Sequence, residues 1–121
     1  MAQIHATPRK SPLALRPRKR FLVSRLKIFP DCLRASFVER FARCGKANCH
    51  CHQGGDKHGP FYFLTQCLAV GKINKFLLPT PAQRPAAQDG IAHYRRLRDQ
   101  IEELSQINAE LLRRGEPLHD E

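Results

Sequence analysis

An α+β fold is predicted for this 121-residue chain by three features. Three cysteines and a histidine gather in residues 44–58, two aromatic and aliphatic runs flank Gly71-Lys72, and apolar residues recur at helical spacing over 94–111. The fold they describe is a small zinc-stapled three-stranded antiparallel sheet with a long C-terminal helix and a disordered basic N-terminal arm. Two of the strands are legible in the apolar runs, while the third, ahead of the cluster, is ambiguous in period. The chain divides into an arm over 1–20, an irregular stretch or short helix over 21–34, a zinc-knuckle and hairpin region over 35–80, the helix over 81–115 and an acidic tail over 116–121.

Residues 1–20 set Pro8, Pro12 and Pro17 among Arg9, Lys10, Arg16, Arg18, Lys19 and Arg20. A segment so charged and proline-rich buries too little apolar surface to offset the entropy of ordering it, so disorder is expected. Residues 21–29 mix apolar and basic positions and support a turn or two of helix, stopped by Pro30. In residues 35–43, Phe37 and Phe41 suit both a strand's alternation and an i, i+4 helical pair.

The cluster has the spacing C-x4-C-x-C-x6-H, formed by Cys44, Cys49, Cys51 and His58. Thiolate sulfur and imidazole nitrogen suit zinc, and four such ligands complete a closed tetrahedral site. Gly45, Asn48, Gly54, Gly55 and Gly59 let the short backbone turn sharply enough to aim several side chains at one point. His50 and His52 compete with His58 for the fourth place, but each adjoins Cys51 and would need a strained bend to reach the same ion. A redox thiol set is the competing chemistry. A catalytic zinc would need an open position and a general base, and Asp56 is the only carboxylate in the loop.

Beyond the cluster, residues 61–70 and 73–78 are apolar runs joined by Gly71-Lys72, which predicts a hairpin with a type II′ turn. Pairing Val70 with Ile73 sets Tyr62, Leu64, Leu68, Val70, Ile73 and Leu77 on one face, and Phe61, Phe63, Cys67, Phe76 and Leu78 on the other. Both faces are apolar enough to require cover, from the C-terminal helix on one side and from the zinc loop or a partner on the other. Thr80-Pro81-Ala82-Gln83 resembles a capping box, and Pro85 then interrupts, so the continuous helix is expected from about Ala86 or Ile91 to Arg114, stopped by Gly115 and Pro117. Tyr94, Leu97, Ile101, Leu104, Asn108 and Leu111 trace a seam that serves either the hairpin core or a coiled-coil homodimer through residues 94–111.

Arg43-Cys44-Gly45-Lys46 with Asn48-Cys49, Cys51 and His58-Gly59-Pro60-Phe61-Tyr62 resembles the signature of a family of small uncharacterised prokaryotic proteins, carriers of a domain of unknown function often encoded beside transposases. The resemblance covers about residues 35–114. It implies a strand over 36–43 leading into the cysteines, an aromatic hairpin, a closing helix over 94–112, a zinc domain and a mobile-element context, and it implies no established activity. The first 34 residues, with Pro81, Pro85 and Gly90, depart from the pattern.

Lysine and arginine number 21 against 11 acidic residues, a formal charge of +10. All of the excess lies in residues 1–46, which hold 12 basic and 2 acidic groups. Such asymmetry predicts a surface for DNA or RNA, carried by Arg16, Arg18, Lys19 and Arg20 in the arm and by Arg34, Arg40, Arg43 and Lys46 near the knuckle. An odd count of five cysteines points to a reducing, cytoplasmic setting with Cys32 and Cys67 as ordinary buried or half-buried thiols, and no run is apolar enough to predict a membrane span. No nucleophile and base can be placed together, so the expectation is a non-catalytic nucleic-acid-binding protein, with a protein-interaction adaptor dimerising through the helix as the alternative.

Overall fold

The computed structural model describes residues 12–119. Its elements run α1 (Pro12–Arg25), β1 (Ser36–Ala42), a single 3₁₀ turn (His50–His52), β2 (His58–Ala69), β3 (Lys72–Leu77) and α2 (Gln83–Arg113). Two compact units result, one spanning Asp31–Ala92 and a helical one built from the segments up to Pro30 and from His93 onward. The architecture is α+β, with a three-stranded antiparallel sheet and a long C-terminal helix. No helix among the described residues is long and apolar enough to cross a membrane.

In the sheet unit the strands lie in the order β1-β2-β3, so the resemblance-based strand over 36–43 is present as β1. Phe37 opposes Leu64, which in turn opposes Phe76, and this inner face meets the first turns of α2. Leu64, Leu78, Ala87 and Ile91 are buried there, with Leu33, Ala35, Phe37 and Tyr62 packed around them. Phe37 stacks on Tyr62 at 5.5 Å between centroids, and the Arg84 guanidinium lies 4.2 Å from the Tyr62 ring centroid. Close approach at the helix depends on Gly90: a Cβ there would sit 2.4 Å from the Asp31 carbonyl oxygen, while the Gly90 carbonyl accepts from the Leu33 amide at 3.0 Å.

The hairpin differs from expectation in register. Ala69 pairs with Lys72 and Cys67 with Ile73, so Leu68 is an extra residue on β2 and Val70-Gly71 is the turn. Gly71 takes φ of +77° at the second central place rather than the first, which is not the predicted type II′ geometry. An odd slip exchanges the faces of β3. Phe76 thus joins Leu64, and the Leu78 amide bonds to the Tyr62 carbonyl at 2.7 Å, whereas Ile73 and Leu77 join Phe63 and Cys67 on the outer face. Burial of Leu64 and Leu78 against α2 selects this register, and the outer face stays open: Leu77 is 44 % and Ile73 66 % exposed.

Pro85 does not interrupt α2, because it falls in the first turn, where its missing N–H has no helical acceptor to lose. The Gln83 side-chain carbonyl accepts from the Thr80 amide at 3.0 Å, one half of the predicted capping box. At the far end Gly115 adopts φ of +74° and the Glu116 amide bonds to the Leu111 carbonyl at 2.8 Å, a left-handed cap that ends the helix where the sequence places its stop.

The helical unit corrects the disordered arm over residues 12–20, which form the first part of α1; residues 1–11 of the expected arm lie outside the described residues. Leu15 and Leu22, seven residues apart and so on one helical face, are buried against Ile107 and Leu111, with Leu104 and Leu118 beside them. Leu104 and Leu111 of the predicted seam therefore find partners within the chain, while Ile101 is half exposed. Arg18 bonds bidentately to Glu103, Arg16 reaches the Pro117 carbonyl at 2.7 Å and Glu116 at 3.7 Å, and Lys19 donates to the Leu118 carbonyl. Residues 116–119 of the expected acidic tail thus return to α1.

Candidate metal centre

β1 ends two residues before Cys44, and β2 begins on His58. Because Ala42 pairs with His58, sheet hydrogen bonding alone delivers the outer two members of the cluster to one end of the same strand pair. The backbone between them folds in tight steps: the Cys49 amide bonds to the Lys46 carbonyl, His52 to Cys49, and both Gln53 and Gly55 to His50. Gly55 and Gly59 fit because a side chain would collide, with Cβ positions 2.6 Å from the His50 carbonyl oxygen and 2.8 Å from that of Arg40.

The result is one compact group. Ligand atoms of Cys44, Cys49, Cys51 and His58 all lie within 4.8 Å of one another. Cys44 Sγ and Cys51 Sγ are 3.7 Å apart, and Cys49 Sγ lies 3.3 Å from His58 Nε2. Tetrahedral zinc with ordinary Zn–S and Zn–N lengths would separate two sulfurs by about 3.8 Å and a sulfur and a nitrogen by about 3.6 Å, so the donor set fits such an ion. Cys51 is fully buried and the other three are half-buried.

The two competing histidines do other things. His52 Nε2 donates to the Cys44 carbonyl at 2.6 Å, which fixes the loop behind the first cysteine. His50 is exposed, with Nδ1 3.6 Å from Cys49 Sγ and its ring edge-on to His58. Arg43, expected to contact nucleic acid, donates from Nε to the Cys51 carbonyl at 2.9 Å and so braces the knuckle. These bracing roles escaped the sequence, since spacing reveals ligands but not the carbonyls that neighbouring side chains will meet.

The thiols are polarised in opposite senses. Cys49 is held down at about 6, first by a backbone hydrogen bond from Cys51, then by the His58 imidazole and the Cys44 thiol. At Cys44 the Lys46 backbone acts downward, but burial and the adjoining Cys49 and Cys51 thiols outweigh it, and the net shift is upward. A cation binding here would displace the remaining protons and accept a thiolate already favoured at Cys49.

Residues 14–66 match a family described as a domain of unknown function, DUF6788. The match takes in most of α1, all of β1, the whole Cys/His group and most of β2. It begins at residue 14, well before residue 35, and α2 lies beyond its end. No curated protein and no solved structure matches the chain.

The other predicted site residues are dispersed. Arg16, Arg18 and Lys19 are engaged within the helical unit, Arg20 is exposed on α1, and Arg34 donates to the Cys67 carbonyl at 2.7 Å. Arg40 and Lys46 are exposed in the sheet unit. Outside the cluster Cys32 is half-buried, whereas Cys67 is exposed because it points to the open outer face.

Proposed function

We propose that the protein is a non-catalytic, zinc-containing nucleic-acid-binding protein. The observation that carries this reading is the distribution of unpaired positive charge. Arg40, Lys46, Lys57, Lys72 and Lys75 are all exposed in the sheet unit and none forms an ion pair with an acidic group among the described residues. In the helical unit Arg16, Arg18, Arg113 and Arg114 are neutralised by Glu116, Glu103 and Glu110, while Arg25, Lys27, Arg95 and Arg96 are exposed and add open charge of their own. Arg40, Lys46 and Lys57 lie toward the knuckle end of the sheet and Lys72 and Lys75 lie on β3, and open cations of this kind are what sequence-independent binding to phosphates requires. Zinc is the metal of this reading because three thiolates and an imidazole suit it and its part would be structural.

The test is a fluorescence-anisotropy titration of the metal-loaded chain against labelled duplex DNA, single-stranded DNA and RNA at several salt concentrations. Binding should weaken as salt rises. Arg40→Ala with Lys46→Ala should make the log-log slope shallower by roughly 0.7 to 0.9 per lost phosphate contact. Absence of salt-dependent binding to all three ligands at low ionic strength would overturn the reading and leave the adaptor role in its place.

A further inference from the structure

The outer face of the sheet carries an arrangement that nonspecific phosphate binding does not use. Antiparallel pairing places Arg40 beside Phe61, sets Val38, Phe63 and Leu77 in one row, and aligns Lys75 and Ile73 further along. Phe61 is 38 % exposed, in addition to the open Ile73 and Leu77. The Lys75 ammonium stands 4.8 Å from the centroid of the Phe63 ring. No aspartate or glutamate lies among the residues of this face. Antiparallel sheets commonly leave one face in water, but a contiguous apolar patch on that face marks an interaction surface.

We propose that this face binds an unpaired strand of nucleic acid by stacking bases on Phe61 and Phe63 while Arg40 and Lys75 meet its phosphates. The inference rests on the nucleic-acid reading above and names its substrate class. Charge complementarity selects the occupant. A second copy of the chain would set two faces together that each carry Arg40 and Lys75 and no carboxylate to pair them, which opposes association. Duplex DNA presents phosphates but keeps its base faces stacked inside, out of reach of the two rings. An unpaired strand offers both flat π-surfaces and negative charge. Phe61 and Phe63 are two residues apart on one strand, about 7 Å, comparable to the step between neighbouring nucleotides in an extended strand. Lys75 is a flexible chain that can leave the Phe63 ring for a phosphate as a base takes its place.

The experiment compares Phe61→Ala, Phe61→Tyr and Lys75→Ala with the wild-type, metal-loaded full chain. Labelled homopyrimidine strands of about twenty nucleotides, as DNA and as RNA, are set against a duplex of the same length. Phe61→Ala should weaken single-strand binding about tenfold or more with the salt slope retained, and leave duplex binding unchanged. Phe61→Tyr, which keeps the ring, should restore single-strand affinity, and Lys75→Ala should reduce the slope by roughly 0.7. Far-UV circular dichroism of each variant confirms that the sheet persists. If Phe61→Ala binds single strands as wild type does while some nucleic acid is still bound, the platform is refuted and the broader reading stands. If no oligonucleotide is bound at all, both fail. A dimer in sedimentation that Phe61→Ala disperses, with single-strand binding unaltered, would assign the face to a second copy and overturn the proposal.

Discussion

Cys51, fully buried at the centre of the knuckle, shows how four side chains can determine a small fold. Zinc in such sites supplies on the order of 10 kcal/mol of folding free energy. Metal analysis of protein purified under reducing conditions should therefore find one zinc per chain, and Cys49→Ser should lose both the metal and the cooperative thermal transition. A chelated sample that kept its full transition would exclude a structural ion. Among the histidines, His58→Ala should lower zinc affinity far more than His50→Ala or His52→Ala, since only His58 joins the three sulfurs. The three cysteines were legible from spacing, because ligand chemistry restricts the residue types and the glycines restrict the turns, while the choice of His58 over His50 and His52 for the fourth place was open until the backbone brought His58 to the sulfurs. The fate of Asn108 was not. Placed at a coiled-coil position by periodicity, it instead has its side-chain oxygen buried with no hydrogen-bond partner among the described residues. Leaving such an atom unpaired is costly, so Asn108→Leu should stabilise the protein by about 1 kcal/mol in denaturant titrations, and a destabilised variant would show that the amide is satisfied in solution.

Among the elements, α1 and the hairpin show where pattern reading stopped short. In α1 the two apolar residues that matter, Leu15 and Leu22, are separated by a basic run broken by Pro17, whose composition reads as a solvated tail. Their burial was not visible until Ile107 and Leu111 were placed opposite them. Leu22→Ala should cost roughly 2 to 5 kcal/mol, as core truncations do, and an unchanged denaturation midpoint would mean that α1 is not docked as described. For the hairpin, the two strands and their junction were legible but the register was not, since Gly71 fits either central place of a two-residue turn and the choice is made by Leu64 and Leu78 inside the fold. At the end of α2, the side chains of Arg113 and then Arg114 hold the Glu110 carboxyl down at about 2. A depressed carboxylate contributes its stability in full above the usual value of 4.5 and loses it as pH falls toward about 2. The Tm of Glu110→Gln should accordingly vary less across that interval than that of the wild type, whereas parallel curves would remove the ion pairs from the account.

For the whole molecule, formal charge overstates what is available to a ligand. The chain carries +10, yet much of the basic excess attributed to an arm lies in α1 and is matched by Glu103, Glu116 and backbone carbonyls. Deleting residues 1–20 should therefore depress thermal stability, because Leu15 leaves the core, instead of merely flattening the salt dependence of binding. An unchanged Tm would return those residues to the status of a tail. The pairing of Ala42 with His58 has one more consequence. A bound ion would tie everything between the first and last ligand into a closed ring, and Lys46 and Lys57 lie exposed within that segment. Trypsin should cut there slowly in the loaded state and rapidly after chelation, so the occupancy of the site would be readable as the lifetime of two peptide bonds.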